Sequence, residues 1–188
     1  STLTLAASVA GQTYTHKVSG SYDSSSAPSA GPLPGLRGRF RQQILISESR
    51  LSGLKGKTIT GVWVRRELHY GRQLDGGKIN LTVKASTTTR LPRSASELFS
   101  LNASAAQQTT AFSGVVTVPD SPALGGSPAP WSTANSFKVI FTSPFRYGGG
   151  TLVLDLAATP QKSGAPSFWY VDHEYVSHNG MASTFGQS

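Results

Sequence analysis

The stretch Lys78-Ile79-Asn80-Leu81-Thr82-Val83-Lys84-Ala85 constrains this chain most, because apolar and polar residues alternate through it without a break. A period of two puts Ile79, Leu81, Val83 and Ala85 on one face of an extended strand and Lys78, Asn80, Thr82 and Lys84 on the other. No helix could bury that set on one side. Gly76-Gly77 just before it permits a tight turn.

Comparable runs recur along the chain. Leu3, Leu5 and Ala7 alternate with Thr2, Thr4 and Ala6, and Tyr14, His16 and Val18 alternate with Thr13, Thr15 and Lys17. Gly11-Gln12 between them reads as a turn. Further strands are expected over 39–47, with Phe40, Gln42, Ile44 and Ile46 on one face, and over 58–68, with Trp63 counted into the core beside Ile59, Val62 and Val64. Others are expected over 112–118, 136–142, 151–157 and 167–174, separated by Gly- and Pro-containing turns. Many short strands at this spacing predict an all-β fold, an antiparallel β-sandwich of jelly-roll-like form. One helical signal stands apart: Ser94 and Glu97 have capping-box spacing, followed by Leu98, Leu101 and Ala105. That spacing predicts one short helix near 95–105, in a connection.

Composition bounds the class. The 188 residues are 37% hydrophobic, enough for one core, and contain no cysteine, which excludes a disulfide scaffold and a thiolate metal site. Strand pairing and core packing must therefore hold the chain together. No run of 18 apolar residues exists, so no transmembrane segment is expected. The chain opens at Ser1 without Met, and reads as a processed, exported chain. Residues 1–22 read as a strand-bearing N-terminal extension, residues 23–35 as a Ser/Pro-rich linker and residues 36–188 as the sandwich domain.

Five features carry a family resemblance: Arg39-Phe40-Arg41-Gln42-Gln43, Lys57-Thr58-Ile59-Thr60-Gly61-Val62-Trp63-Val64-Arg65, Lys78 to Val83, Phe112-Ser113-Gly114-Val115-Val116, and Phe137 to Phe141 with Pro144-Phe145-Arg146-Tyr147 and Gly150 to Leu156. In order and spacing, residues 36–175 resemble a β-sandwich domain of secreted bacterial proteins, many of which carry PEP-CTERM-type sorting tails or related surface anchors. The resemblance implies export, a secreted or cell-surface location and a structural role. It brings no catalytic residues. Ile44-Leu45-Ile46-Ser47-Glu48 departs from the acidic residue and short aromatic segment that often follow the Gln pair in that family.

Chemical groups form three candidate sets. Asp172, His173, Glu174 and His178 make the densest polar cluster, but without H-E-x-x-H or EF-hand spacing, and an exposed strand end is the simpler reading. No catalytic residue, metal or cofactor is assigned. Arg37, Arg39 and Arg41 share one face of a strand and suit bidentate contact with carboxylate, sulfate or phosphate. Trp131, in a loop after Pro128-Ala129-Pro130, is the candidate sugar-stacking residue. The net charge of +8 favours polyanionic partners such as acidic polysaccharide. Nucleic acid is not expected: residues 1–36 carry Lys17 as their one basic residue and no RNA-module signature occurs.

Leu3, Leu5 and Ala7 form the third set, a candidate assembly strand. A linker of ~13 residues spans on the order of 40 Å, enough to carry that strand to a neighbour's sheet edge. The chain is therefore expected to be a non-enzymatic structural protein that assembles with itself as a filament or coat. The alternative is an extracellular carbohydrate-binding or adhesion module for acidic glycans.

Overall fold

A computed structural model describes residues 3–9, 11–18, 29–32, 38–67, 71–125, 129–161, 169–173 and 181–186. The strands are β1 (Leu3–Val9), β2 (Gln12–Lys17), β3 (Ser29–Pro32), β4 (Phe40–Ile46), β5 (Thr58–Arg65), β6 (Gly77–Thr88), β7 (Thr109–Val118), β8 (Ser136–Arg146), β9 (Thr151–Pro160), β10 (Tyr170–His173) and β11 (Met181–Gly186). They form a four-stranded sheet ordered β2-β1-β5-β8, a five-stranded sheet ordered β11-β4-β9-β6-β7, and a small β10-β3 pair. Pairing is antiparallel throughout the described strands. The two larger sheets pack face to face, giving the all-β sandwich the alternating sequence predicts.

The core follows the period of two. Ile79, Leu81, Val83 and Ala85 of β6, with Leu152, Leu154, Leu156 and Ala158 of β9, cover one inner face. Leu5 and Ala7 of β1, Ile59, Val62 and Val64 of β5 and Phe137, Val139 and Phe141 of β8 cover the other. Trp169 sits among them, edge-on to Phe137 with ring centroids 5.8 Å apart, and its indole N–H donates to the Pro119 carbonyl at 2.8 Å. That bond removes the cost of burying an indole donor.

Three expectations change. Of residues 1–22, the described strands β1 and β2 do not stand apart from the sandwich. β1 lies inside the four-stranded sheet, hydrogen-bonded to β2 on one side and β5 on the other, with Leu5 opposite Val62 and Ala7 opposite Ile59. Within the expected linker, Ser29–Pro32 is strand, paired with Tyr170–His173. The helix is a single turn, α1 (Phe99–Asn102), and its N-cap is Leu98 with no side-chain cap. Ser94 instead closes a 3-10 turn over Pro92–Ser94, and the Ser96 hydroxyl accepts from the Leu98 N–H at 3.1 Å. Leu98 and Leu101 face solvent, while Asn102 and Ala103 are the buried members of the segment.

Candidate functional site

The period of two that builds the core also sets what the outer faces carry. With Val62 and Val64 turned inward, Trp63 and Arg65 turn outward on β5. Register then places Trp63 between Thr4 of β1 and Lys138 of β8, and Arg65 opposite Ser136. Trp63 is thus half-buried on the outer face of the four-stranded sheet and not a core residue. The Lys138 Nζ lies 4.7 Å from the Trp63 ring centroid, and the Arg65 guanidinium carbon lies 5.2 Å from that of Trp131. Each is within cation–π range.

Thr4, Thr15, Trp63, Trp131, Ser136 and Lys138 together line a hollow of about 280 Å³. It presents two indole rings, three hydroxyls and an ammonium. Among the described residues the Trp63 Nε1–H has no acceptor, although it is shielded from water. A donor held this way costs about 1–3 kcal/mol.

Trp131 belongs to a loop, yet the loop is pinned. The Arg66 guanidinium, fully buried, donates to the Ser121 hydroxyl at 2.8 Å and to the Pro122 and Arg72 carbonyls at 2.7 and 2.9 Å. The Ser121 hydroxyl donates to Asn135 Oδ1 at 2.6 Å, and Asn135 Nδ2 donates to the Ser132 hydroxyl at 3.1 Å. The Ser136 hydroxyl donates to the Ser132 carbonyl at 2.7 Å. A buried cation thereby fixes the turn that carries the ring. Burial alone would ease the Arg66 proton off, and the Glu67 charge opposes this; the net effect lowers its pKa from the usual arginine value.

The arginine row does not act as a unit. Arg37 lies outside the described residues. Arg39 is exposed on the five-stranded sheet, away from Trp131. Arg41 is committed internally, its Nε and Nη2 donating to the two oxygens of Asp155 at 2.9 and 2.6 Å, with its guanidinium carbon 4.8 Å from the Phe99 ring centroid. Asp155 is 3% exposed and also accepts from Gln43 Nε2 at 2.7 Å and Gln108 Nε2 at 3.3 Å. Asn102 Nδ2 donates to Gln43 Oε1 at 2.9 Å and to the Ser96 carbonyl at 2.7 Å. This network clamps the 95–108 connection onto the sheet. Burial pushes the Asp155 carboxyl up, but the hydrogen bonds from Arg41 and Gln43, the Arg41 charge and the Gln108 contact outweigh it and hold its pKa below the ordinary carboxylate value.

The other two sets are placed as follows. Asp172 and His173 are in β10, paired with Ala30 and Ser29, while Glu174 and His178 lie outside the described residues. Among the described residues no group of three His, Cys, Asp or Glu side chains is placed to hold a metal ion. Leu5 and Ala7, in the candidate assembly strand, are fully buried in their own core; Leu3 pairs with Val64. With β2 and β5 occupying both its sides, β1 leaves no open backbone edge for a neighbouring chain.

Sequence reasoning missed the outward Trp63, although the signal was present: Val62 and Val64 flank it, so all three cannot share one face. It also missed the Asp155 clamp, whose members lie far apart in the chain. No known protein family, curated protein or solved structure matches this chain. Among the described residues, no helix is long and apolar enough to cross a membrane.

Proposed function

We propose that this is a non-enzymatic, secreted or surface-displayed module that binds acidic glycans in the hollow between Trp63 and Trp131. The observation that carries the reading is the grouping of two indole rings, three hydroxyls and Lys138 in one concavity of about 280 Å³ on the outer face of the four-stranded sheet. Indole faces suit the C–H faces of sugar rings, the hydroxyls exchange hydrogen bonds with sugar hydroxyls, and the ammonium selects a carboxylate or sulfate. The net charge of +8 speeds encounter with a polyanion. Self-assembly by donation of residues 3–7 is the weaker reading, because that strand is already paired on both sides.

A glycan array followed by calorimetry tests this. Uronate-bearing or sulfated oligosaccharides should bind, with affinity falling as salt rises. Trp131→Ala and Trp63→Ala should each weaken binding in the hollow at least tenfold. Lys138→Gln should erase the hollow's preference for acidic over neutral sugars. Absence of signal on acidic glycans, or equal binding by Trp131→Ala, overturns the reading.

A further inference from the structure

The opposite face of the sandwich carries a second concavity. On the outer face of the five-stranded sheet, register lines up Ser113, Thr82 and Ala157 across β7, β6 and β9, and next to them Val115, Asn80 and Thr159. Ala157, the smallest side chain of these rows, leaves a floor between taller neighbours, and the groove has a volume of about 420 Å³. Asn80 and Ser113 are exposed, Thr82 is half-buried, and the Thr82 and Ser113 hydroxyls share a long hydrogen bond of 3.4 Å at the surface. Arg39 stands at the groove, exposed. Arg41, two residues on, is neutralised by Asp155, whereas no hydrogen bond or ion pair involves the Arg39 guanidinium among the described residues. The groove thus offers amide and hydroxyl groups in rows and one uncompensated guanidinium, which suits a hydroxyl-rich ligand bearing a carboxylate or sulfate.

We propose that this groove is a second acidic-glycan site, and that the protein bridges two polysaccharide chains, one on each outer face. The bridging rests on the function proposed for the Trp63–Trp131 hollow; the groove stands on its own residues. The outer faces of two packed sheets point in opposite directions, so a short oligosaccharide in one site cannot enter the other. Two sites on one rigid body turn a long polyanion into a cross-linked network, with avidity exceeding either single affinity. A module of this kind is structural in its effect on a matrix without polymerising itself.

The test uses the whole chain and three variants: Trp131→Ala for the hollow, and Ala157→Tyr and Arg39→Ala for the groove. Each is first checked for an unchanged circular dichroism spectrum and thermal midpoint. The probes are a tetragalacturonate and a sulfated tetrasaccharide in calorimetry, and long polygalacturonate and dextran sulfate in turbidity. The wild type should take up two molar equivalents of at least one tetrasaccharide and cloud the matching polymer. Trp131→Ala and Ala157→Tyr should each retain one equivalent and leave the polymer clear, and Arg39→Ala should weaken the groove equivalent about tenfold. If Trp131→Ala binds nothing, the groove is not a site, and the hollow alone survives. If Trp131→Ala binds like wild type while Ala157→Tyr abolishes binding, the hollow reading fails and bridging fails with it. One equivalent on wild type, or no uptake of either probe, overturns the proposal. So does a single-stranded oligonucleotide that displaces the sugar from the groove at equal salt.

Discussion

Asp155 shows how one residue acquires its meaning from its surroundings. In the chain it is a lone acid within Leu154-Asp155-Leu156, where a strand pattern merely tolerates it. In the fold it is the centre of a network that ties Arg41, Gln43 and Gln108 together and holds the 95–108 connection against the sheet through Asn102. Its folded pKa is lowered, so the stability it contributes is present above the unfolded-state value of about 4 and is lost as pH falls through the folded value. The thermal midpoint of the wild type should therefore drop steeply below about pH 4. Asp155→Asn should cost about 2–3 kcal/mol at neutral pH, toward the low end for a broken buried pair because the Arg41 side chain is a third exposed. In that variant the acid step should shrink. Denaturant melts from pH 7 to 2 measure both, and an unchanged acid limb would assign the acid sensitivity to other carboxylates. Trp63 makes the complementary point. Its outward direction was legible from its neighbours Val62 and Val64, but the hollow it shares with Trp131, far along the chain, was not.

At the scale of elements, the strands are straightforward and the bends carry the information. β5 shifts register between Ile59 and Gly61 where it meets β8, and a Cβ added at Gly61 would lie 2.7 Å from the Val139 carbonyl oxygen. That contact is with backbone, which cannot swing aside. Gly61→Ala should therefore destabilise the chain by about 1–3 kcal/mol, the range for overpacking. Gly125→Ala, whose added Cβ has nothing within 4 Å, serves as the control and should melt like wild type. Equal melting of the two variants would mean that β8 can move away from β5. The α1 segment teaches a different lesson. Ser94 and Glu97 have the spacing of a capping box, but Arg90 draws the local carbonyls elsewhere, donating to those of Ser94 and Leu101 at 2.7 and 2.9 Å. With Asn102 also bonded to both the N–H and the carbonyl of Ser96, the segment is tied down by side chains, and one turn of helix is all that forms.

For the whole molecule, the decisive fact is that the first strand sits in the middle of a sheet. Leu5 and Ala7 contribute to the core between β5 and the rest of the sandwich, and removal of β1 and β2 would bare one full side of β5. A chain lacking residues 1–22 should consequently fail to unfold cooperatively: the buried Leu5 and Val18 contribute about 1.5–3 kcal/mol each, and the whole pairing of β1 with β5 is lost with them, against a total of about 5–15 kcal/mol for an ordinary domain. Circular dichroism with a guanidinium titration decides this. A truncated chain that melts sharply would restore the reading of residues 1–22 as a separable extension. The same scale governs function, because the two concavities lie on opposite outer faces and only the packing of the sheets sets them back to back.

By itself the sequence determined the fold class and, within most strands, which residues face inward. Alternation is a local property: each residue's face follows from its immediate neighbours through the pleat, as Lys78 to Ala85 and their buried and exposed counterparts demonstrate. It could not determine partners. Which strand lies beside β1, which arginine finds Asp155, and whether Arg39 and Trp131 share a site are all questions of pairing between distant segments. Pairing is settled by the register that best fills the core on both sheets at once, and no local pattern encodes that choice. The tertiary structure alone therefore separated Arg39 and Arg41 from Trp131, set Trp63 and Trp131 around one hollow, and placed a second concavity on the opposite outer face.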